Sequence, residues 1–125
     1  MRVFKIRPFA RLARRAGIDD SALIQAALRA ERGLIDATLG RFLIKQRVSR
    51  PHSGRSGGFR AVLFYRATDK AVFLYLFAKN QKANLTESEL DTYRRLADIL
   101  SAMSTADVTG ALKTERWIEI GNEEQ

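Results

Sequence analysis

A chain of 125 residues with 46% hydrophobic residues and a formal net charge of +8 can bury one core, and its clear periodicities exclude a disordered basic tail. With no cysteine and a single histidine it cannot carry a disulfide framework, a thiolate nucleophile or a structural zinc site. No apolar run reaches membrane-span length and Met1 to Lys5 lacks the apolar core of a signal peptide, so the expected compartment is the cytoplasm, with no membrane partner.

Arg2 to Ile6 is predicted as a short strand. Pro8 suits the first turn of a helix in which Phe9, Leu12, Ala13 and Ala16 recur at helical spacing, and Gly17 stops it. Arg11, Arg14 and Arg15 lie outside; they could be a second nucleic-acid contact, but outer helix faces usually carry solvated charge, and that reading is preferred. Asp19 or Asp20 caps a second helix running through Arg32 and ended by Gly33. These two helices are expected to form an antiparallel hairpin on a sheet. Leu34 to Gly40 reads as a connector.

Three β-strands are predicted next. Phe42 to Val48 alternates after Leu43, with Lys45 and Arg47 on one face. Ser49 to Gly58 is a polar break, and Phe59–Ala67 and Ala71–Ala78 are joined by a turn at Thr68-Asp69-Lys70. After a polar loop, Thr86-Glu87-Ser88-Glu89 has the capping-box pattern and opens a helix to about Met103. A shorter helix from Ser104 to near Lys113 precedes Trp117–Ile120, a strand that pairs at a sheet edge or docks as a tail. The expectation is one α+β domain over residues 1–125, an antiparallel sheet with an N-terminal helical hairpin and a C-terminal helix, frayed at 121–125. One sheet face would be covered by helices and the other, charged face left open.

Charge is distributed unevenly. From Arg41 to Lys82 there are ten basic residues and one acid, Asp69, whereas the rest of the chain holds twelve basic and thirteen acidic residues. Such concentration on one sheet is the footprint of a polyanion-binding surface, with nucleic acid the favoured ligand and a merely solvated basic face the alternative. Lys45, Arg47, Arg60 and Lys79 would cluster in ordinary register, with Arg50, Arg55, Arg66 and Lys82 as further contacts to the polymer. Cations without carboxylates suit Mg²⁺ poorly, so no metal or other cofactor is expected. They suit cleavage of RNA by its own 2′-OH, where charge must be stabilised and two protons moved. His52 titrates near neutrality and is a candidate acid or base, though on a loop. Tyr65 or Tyr75 could stack on a base, but packing within the sheet is preferred. Gly57-Gly58 either admits a phosphate closely or simply hinges the chain into a strand.

Lys45-Gln46-Arg47, then Ser56-Gly57-Gly58-Phe59-Arg60 entering a strand, then Phe77-Ala78-Lys79-Asn80-Gln81-Lys82-Ala83-Asn84 leaving the next, resemble the RelE/ParE superfamily of bacterial type II toxins. The resemblance spans nearly the whole chain and is closest to the RelE- and HigB-like branch. It implies a RelE-like microbial ribonuclease-type fold and an mRNA endonuclease, usually acting on the translating ribosome and inhibiting translation. A cognate antitoxin, often DNA-binding, would hold it inactive, and the two could assemble into an oligomer. By motif, Arg60 would stabilise the transition state, Lys45 and Arg47 would match the paired basic residues with one a candidate general base, and Lys79 would match the basic residue closing the third strand. Asn80 stands where RelE has an arginine, and RelE's tyrosine near the C-terminus has no clear counterpart. Because the ParE branch poisons gyrase, a non-nucleolytic toxin with a protein target is the alternative, followed by a simple RNA- or DNA-binding domain.

Overall fold

The computed structural model of the protein describes residues 1–49 and 58–122. Among them the elements are β1 (Arg2–Ile6), α1 (Arg7–Ala16), α2 (Asp20–Glu31), β2 (Ala37–Gly40), β3 (Leu43–Val48), β4 (Phe59–Arg66), β5 (Lys70–Ala78), α3 (Glu87–Ser101), α4 (Thr105–Lys113) and β6 (Trp117–Asn122). The fold is α+β, with a six-stranded sheet in the order β2-β3-β4-β5-β1-β6. Every neighbouring pair is antiparallel except β1 with β5.

Local chemistry explains most boundaries. Gly17 takes the left-handed conformation at φ 71°, closing α1 as a side chain with Cβ would resist. Asp19 caps α2 by accepting from the Ala22 N–H at 2.9 Å. Thr86 with Glu89, and Ser104 with Asp107, form reciprocal capping boxes that start α3 and α4. The stretch expected as a connector from Leu34 to Gly40 contains β2, an edge strand paired with β3. Trp117 onward is a strand, not a docked tail: β6 pairs with β1, and it includes Gly121 and Asn122, which were expected to fray.

The open, charged sheet face expected from the sequence is not what forms. The first face carries Val3, Ile44, Ala61, Leu63 and Phe73 beneath α1 and α2. The second carries Phe4, Leu43, Val62, Phe64, Val72 and Leu74, packed with Ala97 and Leu100 of α3 and Val108 and Ala111 of α4. Both are apolar because the central strands are apolar on alternate and intervening positions alike, the pattern of a sheet buried on two sides. The helices expected as a hairpin follow β1; α1 packs on β5 and β1, and α2 reaches from β3 towards β6. Among the described residues, one end of the second face stays open, where β3 ends, β4 begins and β5 ends, with Arg47 exposed and Lys45 and Arg60 half-buried.

A bulge sets the phase of that end. Val62 lies opposite Tyr75 and Leu63 opposite Phe73, so Leu74 has no partner on β4. Beyond it, Tyr75 and Phe77 share the second face, while Phe73 stays on the first and packs against Phe9 at 5.3 Å between ring centres.

Candidate nucleic-acid interface

At the open end Arg47 lies directly opposite Arg60, and Lys45 opposite Val62. Across the next ladder Arg60 is opposite Phe77 and Val62 opposite Tyr75. Facing residues on antiparallel strands share a face with Cβ atoms about 4.5–5.5 Å apart, so Lys45, Arg47 and Arg60 form one patch bordered by two aromatic rings. Like charges directly opposite each other destabilise a sheet, and a bound phosphate would relieve that repulsion.

Each cation is placed by identifiable contacts. Arg60 Nη1 donates to the Phe59 carbonyl at 3.2 Å, and a Cβ on Gly58 would meet it at 3.4 Å, so the guanidinium lies against the glycine. The Lys79 N–H donates to the Gly58 carbonyl at 3.0 Å, which brings exposed Lys79 beside the start of β4. Lys45 Nζ donates to Asn84 Oδ1 at 3.3 Å.

Arg47 has its backbone held on both sides. Its N–H donates to Asp36 Oδ2 at 2.6 Å, and its carbonyl accepts from Arg29 Nη2 at 2.7 Å. Its side chain is 68% exposed, with Nε 3.6 Å from Asp36 Oδ1. Asp36 is in turn fixed by Gln46, a fully buried amide. Gln46 Oε1 accepts from the Asp36 N–H at 2.7 Å, and its Nε2 donates to the Ala26 and Leu34 carbonyls, both at 3.1 Å. A core amide thus ties α2, the approach to β2 and β3 together behind Arg47.

Lys82 is differently disposed. Its Nζ pairs with the Glu89 carboxylate, the group that also caps α3, and lies 5.5 Å from the centre of the Tyr75 ring. The hydrogen bond with Glu89 raises the Lys82 pKa, and the same bond holds the Glu89 carboxyl below the usual carboxylate range. Tyr75 stacks between Phe77 and Tyr93, with centroids at 5.8 and 5.6 Å. Burial, then the nearby Tyr75 and Glu89, push the Tyr93 phenol up to about 12, so it remains a hydrogen-bond donor at neutral pH.

Arg66 does not join the patch. It ends β4, six residues from Arg60 and so about 20 Å along the strand. There it bonds Asp69 and the Ser101 carbonyl and covers the Phe42 and Phe64 rings. Lys70 also bonds Asp69, and Arg41 lies over Phe42. Arg50, His52 and Arg55 lie outside the described residues.

A family model for the RelE toxin of the RelE / RelB toxin-antitoxin system matches residues 1–120. The chain belongs to the RelE toxin family. The superfamily resemblance carried by its Gly-Gly-Phe-Arg and Phe-Ala-Lys-Asn segments is therefore sound, and RelE membership implies a toxin with a cognate antitoxin as partner. Comparison with curated proteins finds no match. In this RelE-family chain no described helix is long and apolar enough to cross a membrane. Among the described residues no three His, Cys, Asp or Glu side chains converge as metal ligands.

Sequence reasoning passed over Asp36, Asn84 and the buried role of Gln46. The signal for Gln46 was its place in the alternation: it occupies the inward position between Ile44 and Val48.

Proposed function

We propose that this RelE-family toxin is a metal-independent endoribonuclease that cleaves mRNA on the translating ribosome and so stops protein synthesis. What supports this most is the cross-strand pair Arg47–Arg60, flanked by Lys45 and Lys79, on three strands that contain no acidic residue.

The substrate supplies its own nucleophile. The 2′-oxygen attacks the adjacent phosphorus as the bond to the next nucleotide's 5′-oxygen breaks, giving a 2′,3′-cyclic phosphate and a 5′-hydroxyl. The fork of Arg60 meets the charge that grows on the phosphoryl oxygens. Arg47 and Lys79 hold the neighbouring phosphates. The 2′-OH proton passes to Lys45 as general base, because arginine does not give up its proton at ordinary pH. The leaving oxygen gains a proton from solvent, with His52 the candidate donor among the residues outside the described segments. An acidic antitoxin segment would silence the toxin by neutralising the same cations.

Induced expression of the wild type and Arg60→Ala, with growth, protein synthesis and reporter mRNA 5′ ends followed together, tests the proposal. Growth arrest with new mRNA ends, both lost in a folded Arg60→Ala protein, is the expected result. Arrest with intact mRNA would overturn it in favour of a protein target such as gyrase.

A further inference from the structure

β1 pairs with β5 only from Lys70 to Phe73, because the chain leaves the sheet after Ile6 to begin α1. Beyond that point β5 has α1 for a neighbour instead of a strand. Two grooves run along the junction. One, about 420 Å³, is lined by Arg11, Arg15, Leu74, Tyr75 and Tyr93 with other apolar residues of α1 and its approach. The second, about 690 Å³, is lined by Arg15, Gly58, Phe77, Asn80 and Gln81 among others. Arg15 and Leu12 belong to both, so the grooves adjoin, and Gly58, against which the Arg60 guanidinium lies, lines the second.

Arg11 and Arg15 are four residues apart, hence neighbours on one helix face about 5–6 Å apart. Both are exposed, and neither enters an ion pair among the described residues. Arg11 and Arg15 line the first groove with Tyr75 and Tyr93, and Arg15 lines the second with Phe77, so both arginines sit beside an aromatic wall. Phe77, Tyr75 and Tyr93 form that wall as a ladder of nearly parallel rings, inclined by 26° and 23°.

We infer that this groove binds the nucleotides flanking the cleaved bond: single-stranded RNA runs from Arg60 past Gly58 and Arg15 to Arg11, with phosphates on the two arginines and a base against Tyr93, the terminal ring of the ladder. Spaced cations beside flat rings match the alternation of phosphate and base in a single strand. The assignment rests on the endoribonuclease proposal for the polarity of the track, but its binding test stands apart from cleavage.

The test uses uncleavable 2′-O-methyl RNA of three and nine nucleotides, with affinity measured by fluorescence anisotropy over a range of salt. In the Arg11→Ala/Arg15→Ala protein the nine-mer should bind about tenfold more weakly, and its log–log salt slope should fall by about 1.4, two phosphates at about 0.7 each. Three-mer binding should not change. Tyr93→Leu should weaken nine-mer binding several-fold without changing the slope, as loss of stacking does. Unchanged nine-mer affinity and slope in the double variant would overturn the inference. So would RNA binding that survives while affinity for the antitoxin falls, which would make the groove a protein-docking site. If reporter mRNA stays intact yet nine-mer binding still depends on Arg11 and Arg15, the nuclease proposal falls and the RNA track remains.

Discussion

Replacing Gln46 with leucine should destabilise the toxin by about 2–3 kcal/mol. The side chain is fully buried and makes three hydrogen bonds, to the Ala26 and Leu34 carbonyls and from the Asp36 N–H. At about 1 kcal/mol net each, their loss totals about 3 kcal/mol, and leucine's apolar burial offsets up to about 1 kcal/mol of it. The Ala26 carbonyl sits inside α2, so the sharper penalty falls on the Asp36 N–H and the Leu34 carbonyl. Urea unfolding is the assay, carried out in an Arg60→Ala background so that activity does not limit expression. With a slope of roughly 1–3 kcal/mol per molar urea, the midpoint should drop by roughly 0.7–3 M with the slope unchanged. A drop below about 0.3 M would refute the idea that this amide holds α2 and the Asp36 segment to β3. RNA affinity should also fall, although Gln46 touches no ligand, because Asp36 would no longer be fixed beneath Arg47.

Arg66→Ala should cost about 1 kcal/mol of stability and leave toxicity intact, since its bonds are to Asp69 and Ser101 at the far end of the strand; loss of toxicity in a folded variant would contradict the placement. Arg60→Lys keeps the charge but not the planar fork, so reporter cleavage should drop roughly a hundredfold, and near wild-type cleavage would show that a point charge suffices. Burial, joined at Tyr65 by the Glu31 hydrogen bond, raises the phenol pKa of Tyr65 and Tyr93 above the ordinary tyrosine value, for Tyr93 to about 12. A proton held more tightly in the folded state stabilises it fully below about pH 10, and that contribution is lost as pH rises through the folded value. The thermal midpoint should therefore decline from about pH 10 towards 12, and a Tyr65→Phe/Tyr93→Phe protein that declines just as steeply would refute the assignment.

The alternation that set Lys45 and Arg47 on one face was legible because each strand residue reports its side by parity alone. The capping box at Thr86 was legible for a similar reason, its partners being three residues apart. Failures came where partners are distant in sequence. Ala37–Gly40 is too short to show a period and becomes a strand only because β3 lies beside it. Lys45-Gln46-Arg47 looks like a polar triplet until α2 and the Leu34–Asp36 segment supply bonds to the middle residue. The two-sided sheet was within reach, since Ala61–Tyr65 and Ala71–Phe77 are unbroken apolar runs, but net charge outweighed them. Charge counts also pooled Arg41, Arg66 and Lys70 with the cations at the opposite end of the strands. The unmatched Leu74 shifts the phase of β5 by one, which no strict period-two pattern foresees.

The pairing of β6 with β1 has a consequence for how the molecule comes into being. Arg2 lies opposite Asn122 and Ile6 opposite Trp117, so β1, threaded between β5 and β6, has its second edge satisfied only by residues more than a hundred positions later in the chain. The three strands bearing the patch are joined to one another by nearer contacts and can pair earlier, but their flank is not secured until β6 has docked on β1. Contacts of such long sequence separation fold slowly. Pairing of the patch strands therefore precedes closure of the sheet, which leaves an interval in folding when an antitoxin already present can engage the toxin.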